Sequence, residues 1–130
     1  MARILVVDDE QTTRDLLSQV IRLLGHEPLV AEGGAQALQC LDENPPDLVL
    51  LDLMMPEMDG YETMRHMRSR EAGSSLPIIV ITASQELDVE ERATDAGADE
   101  VYFKPIGVSA ISEIVGSFTE STVSDTAPLQ

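Results

Sequence analysis

Short, unbroken apolar runs alternate along this chain with longer stretches in which apolar residues return every three or four positions. The runs cover residues 4–7, 29–31, 48–51, 78–81 and 101–103. Unbroken Val, Ile and Leu predict strands buried on both faces, and their alternation with helical periodicity predicts a parallel sheet between layers of helices. In the first intervening stretch, Leu16, Leu17, Val20, Ile21, Leu23 and Leu24 share a helical stripe that stops at Gly25. Ala35, Leu38 and Leu41 mark a second helix, closed by Asn44-Pro45-Pro46. Met58, Tyr61, Met64 and Met67 mark a third, with Asp59 and Glu62 spaced as in a capping box. The fourth, about residues 86–96, offers only Val89, Ala93 and Ala96 as an apolar stripe and stops at Gly97, so weak docking is expected. The fifth has Val108, Ile111, Val115 and Phe118 at helical spacing. The Ser- and Thr-rich stretch 119–130 shows no periodicity and is expected to be a flexible tail or the start of a linker.

The expected fold class is therefore α/β, a doubly wound (βα)5 domain over residues 1–118 with a five-stranded parallel sheet. In such sheets ligands sit beyond the carboxyl ends of the strands, where the winding direction reverses. The chain has 130 residues, one domain's worth, and 24 acidic against 8 basic side chains, a formal charge of −16. That balance argues against nucleic-acid binding, which needs clustered Lys and Arg, and favours partners with neutral or basic surfaces. One cysteine, Cys40, allows no internal disulfide, and with two histidines it builds no zinc site. Reducing cytoplasm is the expected compartment. No apolar run approaches the roughly 20 residues of a membrane-spanning helix, and with only four apolar residues following Arg3 no signal peptide is expected here.

The chemistry lies where function is expected, at the strand ends. Asp8 and Asp9 follow the first strand, Asp52 the third, Thr82 the fourth and Lys104 the fifth. With the strands in the order 2-1-3-4-5 the first and third are neighbours, which brings three carboxylates into one crevice. Like charges so close need a cation, and oxygen ligands without His or Cys select Mg²⁺ or a similar hard ion. Mg²⁺ held by few carboxylates typically keeps room for a phosphate-like ligand.

These residues resemble the receiver domains of two-component response regulators. The resemblance spans residues 2 to about 117 and rests on Ile4-Leu5-Val6-Val7-Asp8-Asp9-Glu10, Leu50-Leu51-Asp52-Leu53-Met54-Met55-Pro56, Met58-Asp59-Gly60, Ile81-Thr82-Ala83 and Phe103-Lys104-Pro105, in that order and spacing. It implies a flavodoxin-like fold, with Asp52 as the phosphorylated residue. Asp9 and Asp52 would then ligate Mg²⁺ directly, Asp8 through water, and the backbone carbonyl of Met54 would add a further ligand. Thr82 and Lys104 would bind the phosphoryl group, and a cis Lys104-Pro105 bond would aim the lysine. The implied donor is a histidine kinase or phosphotransfer protein, and the implied output is a changed surface around the fourth helix, fifth strand and fifth helix, read by a protein partner.

The chain departs from the family at the switch. The usual aromatic position, three before the lysine, is Val101, and the tyrosine is one later, at Tyr102. Neighbouring strand residues point to opposite faces, so Tyr102 does not substitute, and its expected role is packing with its hydroxyl toward solvent. Met54 and Ser84 flank the implied approach of hydrolytic water, and the clustered methionines from 54 to 67 are expected to fill gaps around helix three. His26 and His66 are expected to be surface residues without partner carboxylates at obvious spacing. The acidic run Glu86, Asp88, Glu90, Glu91 and Asp95 is expected to be a solvated face. Two other readings compete with the signalling module. One is an aspartyl-phosphate hydrolase of the haloacid-dehalogenase type, which places a second acid where this chain has Met54. The other is a phosphorylation-independent adaptor, whose relatives tend to lose a site residue, whereas all are present here.

Overall fold

β1 (Arg3–Val7), β3 (Leu48–Leu51) and β4 (Ile78–Thr82) are buried along almost their whole length, as their unbroken apolar composition requires. The computed structural model describes residues 1–124, with side chains through 119. Together with β2 (Glu27–Ala31) and β5 (Glu100–Phe103), the central strands form a parallel sheet in the order β2-β1-β3-β4-β5. The edge strands are only half buried, because each has a neighbour on one side alone; Val30 and Phe103 are exposed.

Strand alternation divides the core in two. Leu5, Val7, Val49, Leu51, Ile78 and Val80 face α2 (Gly34–Glu43), α3 (Gly60–Arg68) and α4 (Val89–Ala96). Ile4, Val6, Leu48, Leu50, Ile79 and Ile81 face α1 (Gln11–Leu23) and α5 (Val108–Ser124). Helices on both faces of an all-parallel sheet make the expected doubly wound (βα)5 sandwich.

The helical stripes are narrower than the sequence pattern. Of the apolar stripe on α1 only Leu17, Val20 and Ile21 are buried, while Leu16 and, beyond the sheet's reach, Leu23 and Leu24 are exposed. On α2 Ala37 takes the buried position and Ala35 faces solvent. The α3 start is capped as its spacing predicts, the Asp59 carboxylate accepting a hydrogen bond from the Glu62 amide at 2.9 Å. α4 begins at Val89, later than expected, which leaves Glu86 and Asp88 in the preceding loop; its buried residues are the three expected ones, and it ends at Gly97 with φ 129°. Val108 opens α5 exposed, and Ile111, Ile114 and Val115 form its buried stripe. α5 runs on through Ser124, past the tail boundary expected at 119, with the buried Thr119 hydroxyl donating to the Val115 carbonyl. The rest of the expected tail, 125–130, lies outside the described residues.

Candidate functional site

The register of three neighbouring strands assembles the site. Val7 pairs with Leu51, so the next residues, Asp8 and Asp52, leave the sheet side by side. Their backbones are pinned there: the Asp52 amide donates to the Val7 carbonyl at 2.9 Å and the Asp8 amide to the Ala31 carbonyl at 3.2 Å. Asp9 follows on the solvent side. One carboxylate oxygen from each of Asp8, Asp9 and Asp52 lies within 4.8 Å of the others, with Asp8 and Asp52 buried and Asp9 exposed. On the other flank Thr82 pairs with Phe103, and the Lys104 amide donates to the Thr82 carbonyl at 2.8 Å, which carries the lysine into the same crevice. The Lys104–Pro105 peptide is cis.

Lys104 Nζ lies 2.8 Å from Asp8 Oδ2, 3.5 Å from Asp52 Oδ2 and 3.7 Å from Glu10 Oε1. Burial works to lower the ammonium's pKa, but the hydrogen bond to Asp8 and the charges of Asp52, Asp8 and Glu10 outweigh it and hold the lysine above its ordinary value. Burial pushes the Asp52 carboxyl up, assisted by the Asp8 charge and opposed by the Met54 amide and Lys104. The Met54 amide donates to Asp52 Oδ1 at 3.2 Å. Three carboxylates against one ammonium leave the core of the crevice at 1 − 3 = −2, before Glu10 is considered. An all-oxygen donor set with that surplus fits a small, hard divalent cation.

Thr82 is fully buried, and its hydroxyl oxygen accepts from the Ser84 amide at 3.1 Å, leaving the hydroxyl hydrogen free to donate. Val101 packs with the α2–α4 side of the core and Tyr102 with the α1/α5 side, so the two lie on opposite faces as alternation requires. The Tyr102 hydroxyl donates to Glu100 Oε1 at 2.9 Å. Met55, Met64 and Met67 are buried and Met58 is partly so, whereas Met54 is exposed beside the crevice. His26 Nδ1 accepts from the Ala2 amide. His66 does have a carboxylate neighbour, Glu62 Oε2 at 3.8 Å, correcting the expectation; the spacing is i,i+4 on one helix and was visible in the sequence.

Two contributors to the site were not singled out by chemistry in the sequence. Glu10, adjacent to Asp9, adds a carboxylate beside Lys104. Gly60 lies against the backbone of the acidic strand end: a Cβ there would stand 2.5 Å from the Asp52 carbonyl oxygen and 2.7 Å from Leu53 Cα. Its amide donates to the Leu53 carbonyl at 3.0 Å. The Asp-Gly pair before an apolar helical stripe was the available signal for this close approach.

A family model described as the response regulator receiver domain matches residues 4–116. Response regulator MprA from Mycobacterium sp. (strain KMS) is 36% identical over 126 residues, covering 97% of this chain and 54% of that protein. Regulatory protein AtoC from Escherichia coli (strain K12) is 39% identical over 113 residues, covering 87% of this chain and 24% of that protein. The chain thus spans about half the length of the first relative and about a quarter of the second. Among solved structures, the signal receiver domain of a signal transduction histidine kinase from Syntrophus aciditrophicus superposes with TM-score 0.87 at 27% identity, covering 100% of this chain and 98% of that one. The receiver domain of sensor histidine kinase PA1611 from Pseudomonas aeruginosa PAO1, solved with a magnesium ion coordinated in its active site cleft, gives TM-score 0.83 at 27% identity, covering 90% of this chain and 96% of that one. With strand order, flanking helices and acidic strand ends all in agreement, the chain belongs to the response regulator receiver domains.

Proposed function

We propose that this domain is a Mg²⁺-dependent phosphoacceptor, taking a phosphoryl group from a phosphohistidine onto Asp52. The observation that carries this reading is the convergence of Asp8, Asp9, Asp52 and Lys104 at one mouth of the sheet. Asp9 and Asp52 would hold the ion, with Asp8 through water and the Met54 carbonyl as a further ligand. When bound, Mg²⁺ supplies two positive charges to offset those on the phosphoryl oxygens. An Asp52 oxygen forms the new O–P bond as the P–N bond of the donor breaks, and the imidazole leaves with the electron pair of that bond. Lys104, already ion-paired to Asp8 and within reach of Asp52, is placed to exchange those partners for a phosphoryl oxygen. The Thr82 hydroxyl donates to another oxygen, an interaction available only after transfer. That differential bond favours one conformer of the loop after β4 over another.

The donor is a histidine kinase or phosphotransfer protein, and the output is a protein or domain with a neutral or basic surface that reads the face around α4, β5 and α5. The acidic charge argues against direct nucleic-acid binding by this domain. Among the described residues no helix is long and apolar enough to cross a membrane; the lone cysteine supports a cytoplasmic setting. Any self-phosphorylation or self-dephosphorylation is weak, so the domain acts as a module and not as a turnover enzyme. Incubation with acetyl phosphate or phosphoramidate and Mg²⁺ is expected to add one phosphoryl mass, and chelation of the metal to prevent it. Asp9→Ala is expected to weaken Mg²⁺ binding by at least about tenfold in a titration; unchanged affinity removes Asp9 from the site.

A further inference from the structure

Tyr61 presents an anomaly at the far side of the switch region. The residue is 7% exposed, and its hydroxyl oxygen is buried without a hydrogen-bond partner. Leaving a buried donor unpaired is unfavourable, and such groups are uncommon in folded proteins. The ring is covered by the Arg92 guanidinium of α4, 4.3 Å from the ring centre. Arg92 Nη1 in turn lies 3.2 Å from Glu86 Oε1, in the loop between β4 and α4. The Glu86 amide donates to Ser84 Oγ at 3.4 Å, and the Ser84 amide donates to Thr82 Oγ1 at 3.1 Å. A continuous series of contacts thus joins the hydroxyl beside the phosphoryl site to a tyrosine on α3, through the loop. That loop stands over an open cleft of about 360 Å³ lined by Thr82, Ser84, Val89, Phe103 and Lys104, and its Leu87 is fully exposed, so there is room for it to move.

We propose that Thr82, Ser84, Glu86, Arg92 and Tyr61 form the relay that reports occupancy of Asp52 in this chain, with Tyr61 as the aromatic end of the switch where residue 101 is a valine. The inference rests on the phosphoacceptor reading and deepens it. When Thr82 turns to a phosphoryl oxygen it draws Ser84 with it, and Glu86 shifts relative to Arg92. The Tyr61 hydroxyl then donates to a carboxylate of the rearranged loop, Glu86 or Asp88 being the nearby acids in it. Tyr61 and Arg92 act at a distance from the reacting atoms and are positioning residues. Because the new hydrogen bond exists only in the occupied state, linkage requires that deleting it weaken occupancy of Asp52.

The test is titration of the full chain with beryllofluoride and Mg²⁺, comparing the parent protein with Tyr61→Phe, Arg92→Met and the double variant, while amide shifts of residues 83–96 are followed by NMR. Tyr61→Phe is expected to leave the thermal midpoint of the free protein unchanged or slightly raised, to bind beryllofluoride about fivefold more weakly, and to show a smaller shift response. Arg92→Met, at an exposed position that spares the core, removes contacts to Tyr61 and Glu86 that the free state already makes; with Glu86 untethered, the shift response and the Tyr61→Phe effect are expected to shrink, and the double variant to be no weaker than Tyr61→Phe alone. Equal affinity and undiminished shifts in Tyr61→Phe overturn the relay, as does a free protein destabilised by that change, since the hydroxyl would then already be bonded. Additive losses in the double variant overturn it too, because the two residues would act separately. A parent protein that binds no beryllofluoride overturns the phosphoacceptor reading itself, and the relay with it; binding by the parent with an unaffected Tyr61→Phe overturns the relay alone.

Discussion

The ends of β1 and β3 and the segment from the end of β4 through α4 lie side by side, yet they are built on opposite terms. At the first, Asp8 and Asp52 follow a register-locked pair, Val7 and Leu51, both fully buried, with the aspartates' own amides bonded into the sheet. At the second, a helix of eight residues buries only Val89, Ala93 and Ala96, and the loop before it is tied down by the side chains of Thr82, Ser84 and Glu86. Charge that must be held at a fixed separation sits on the rigid part. On the proposed phosphoacceptor reading, the part with few buried contacts is the one that a few new bonds at a phosphoryl group would displace, because local stability varies with apolar burial. A switch needs both: a site that does not relax when charge arrives, and a neighbour whose alternative conformation is only a few kcal/mol away.

The contrast can be broken most completely at its rigid end. Asp52→Asn is expected to abolish phosphoryl incorporation by mass spectrometry. The same variant tests the electrostatics. Burial raises the Asp52 carboxyl above its ordinary 3.8, so the folded protein holds this proton more tightly than the unfolded chain. Stability is therefore lost as pH rises from the ordinary value through the folded one, and stays lost at neutral pH. Asp52→Asn is expected to raise the thermal midpoint at neutral pH and to give no gain in acid below the ordinary value.

Gly60→Ala comes next, since the two nearest atoms its Cβ would meet belong to the backbone of Asp52 and Leu53, which cannot swing aside as a side-chain end can. A cost of about 1–3 kcal/mol in urea unfolding is expected, with slower phosphoryl uptake because Asp52 is displaced. Thr82→Ala is expected to leave uptake in place while reducing the amide-shift response of residues 83–96 to beryllofluoride; a full response would show that the hydroxyl is not the latch. The smallest effect belongs to the solvated face of α4. Glu91→Gln, exposed and outside the contacts that tie the loop, is expected to change stability by less than about 0.5 kcal/mol.

Much of the fold was legible because the central strands advertise themselves: burial on two faces leaves no polar position to interrupt 4–7, 48–51 and 78–81. The strand-end acids, threonine and lysine were legible for a related reason, since polar chemistry placed immediately after a buried run must emerge at the sheet's edge. The misreadings fall where packing partners decide. Leu16, Leu23 and Leu24 fit the helical period of α1 yet stand exposed, because which turns of the stripe are covered depends on the surfaces opposite them. α4 starts at Val89 and not near 86, a boundary the composition hides because an acidic loop and an acidic helix face look alike. Glu10 and Gly60 stand within the motifs, but their neighbours across the crevice come from other strands and loops.

From the sequence by itself came the α/β class, the two layers of helices, and the set of residue types, three carboxylates and a lysine, that could serve one charged crevice. Tertiary structure decided the rest. Pairing of Val7 with Leu51 put Asp8 and Asp52 at hydrogen-bonding distance from one ammonium, with Asp8 buried and Asp9 open to solvent, and the seating of α4 against α3 left the Tyr61 hydroxyl unpartnered beneath Arg92. The reason is physical: periodicity follows from the local geometry of one element, whereas separation, burial and the satisfaction of polar groups depend on surfaces contributed by segments distant in the chain.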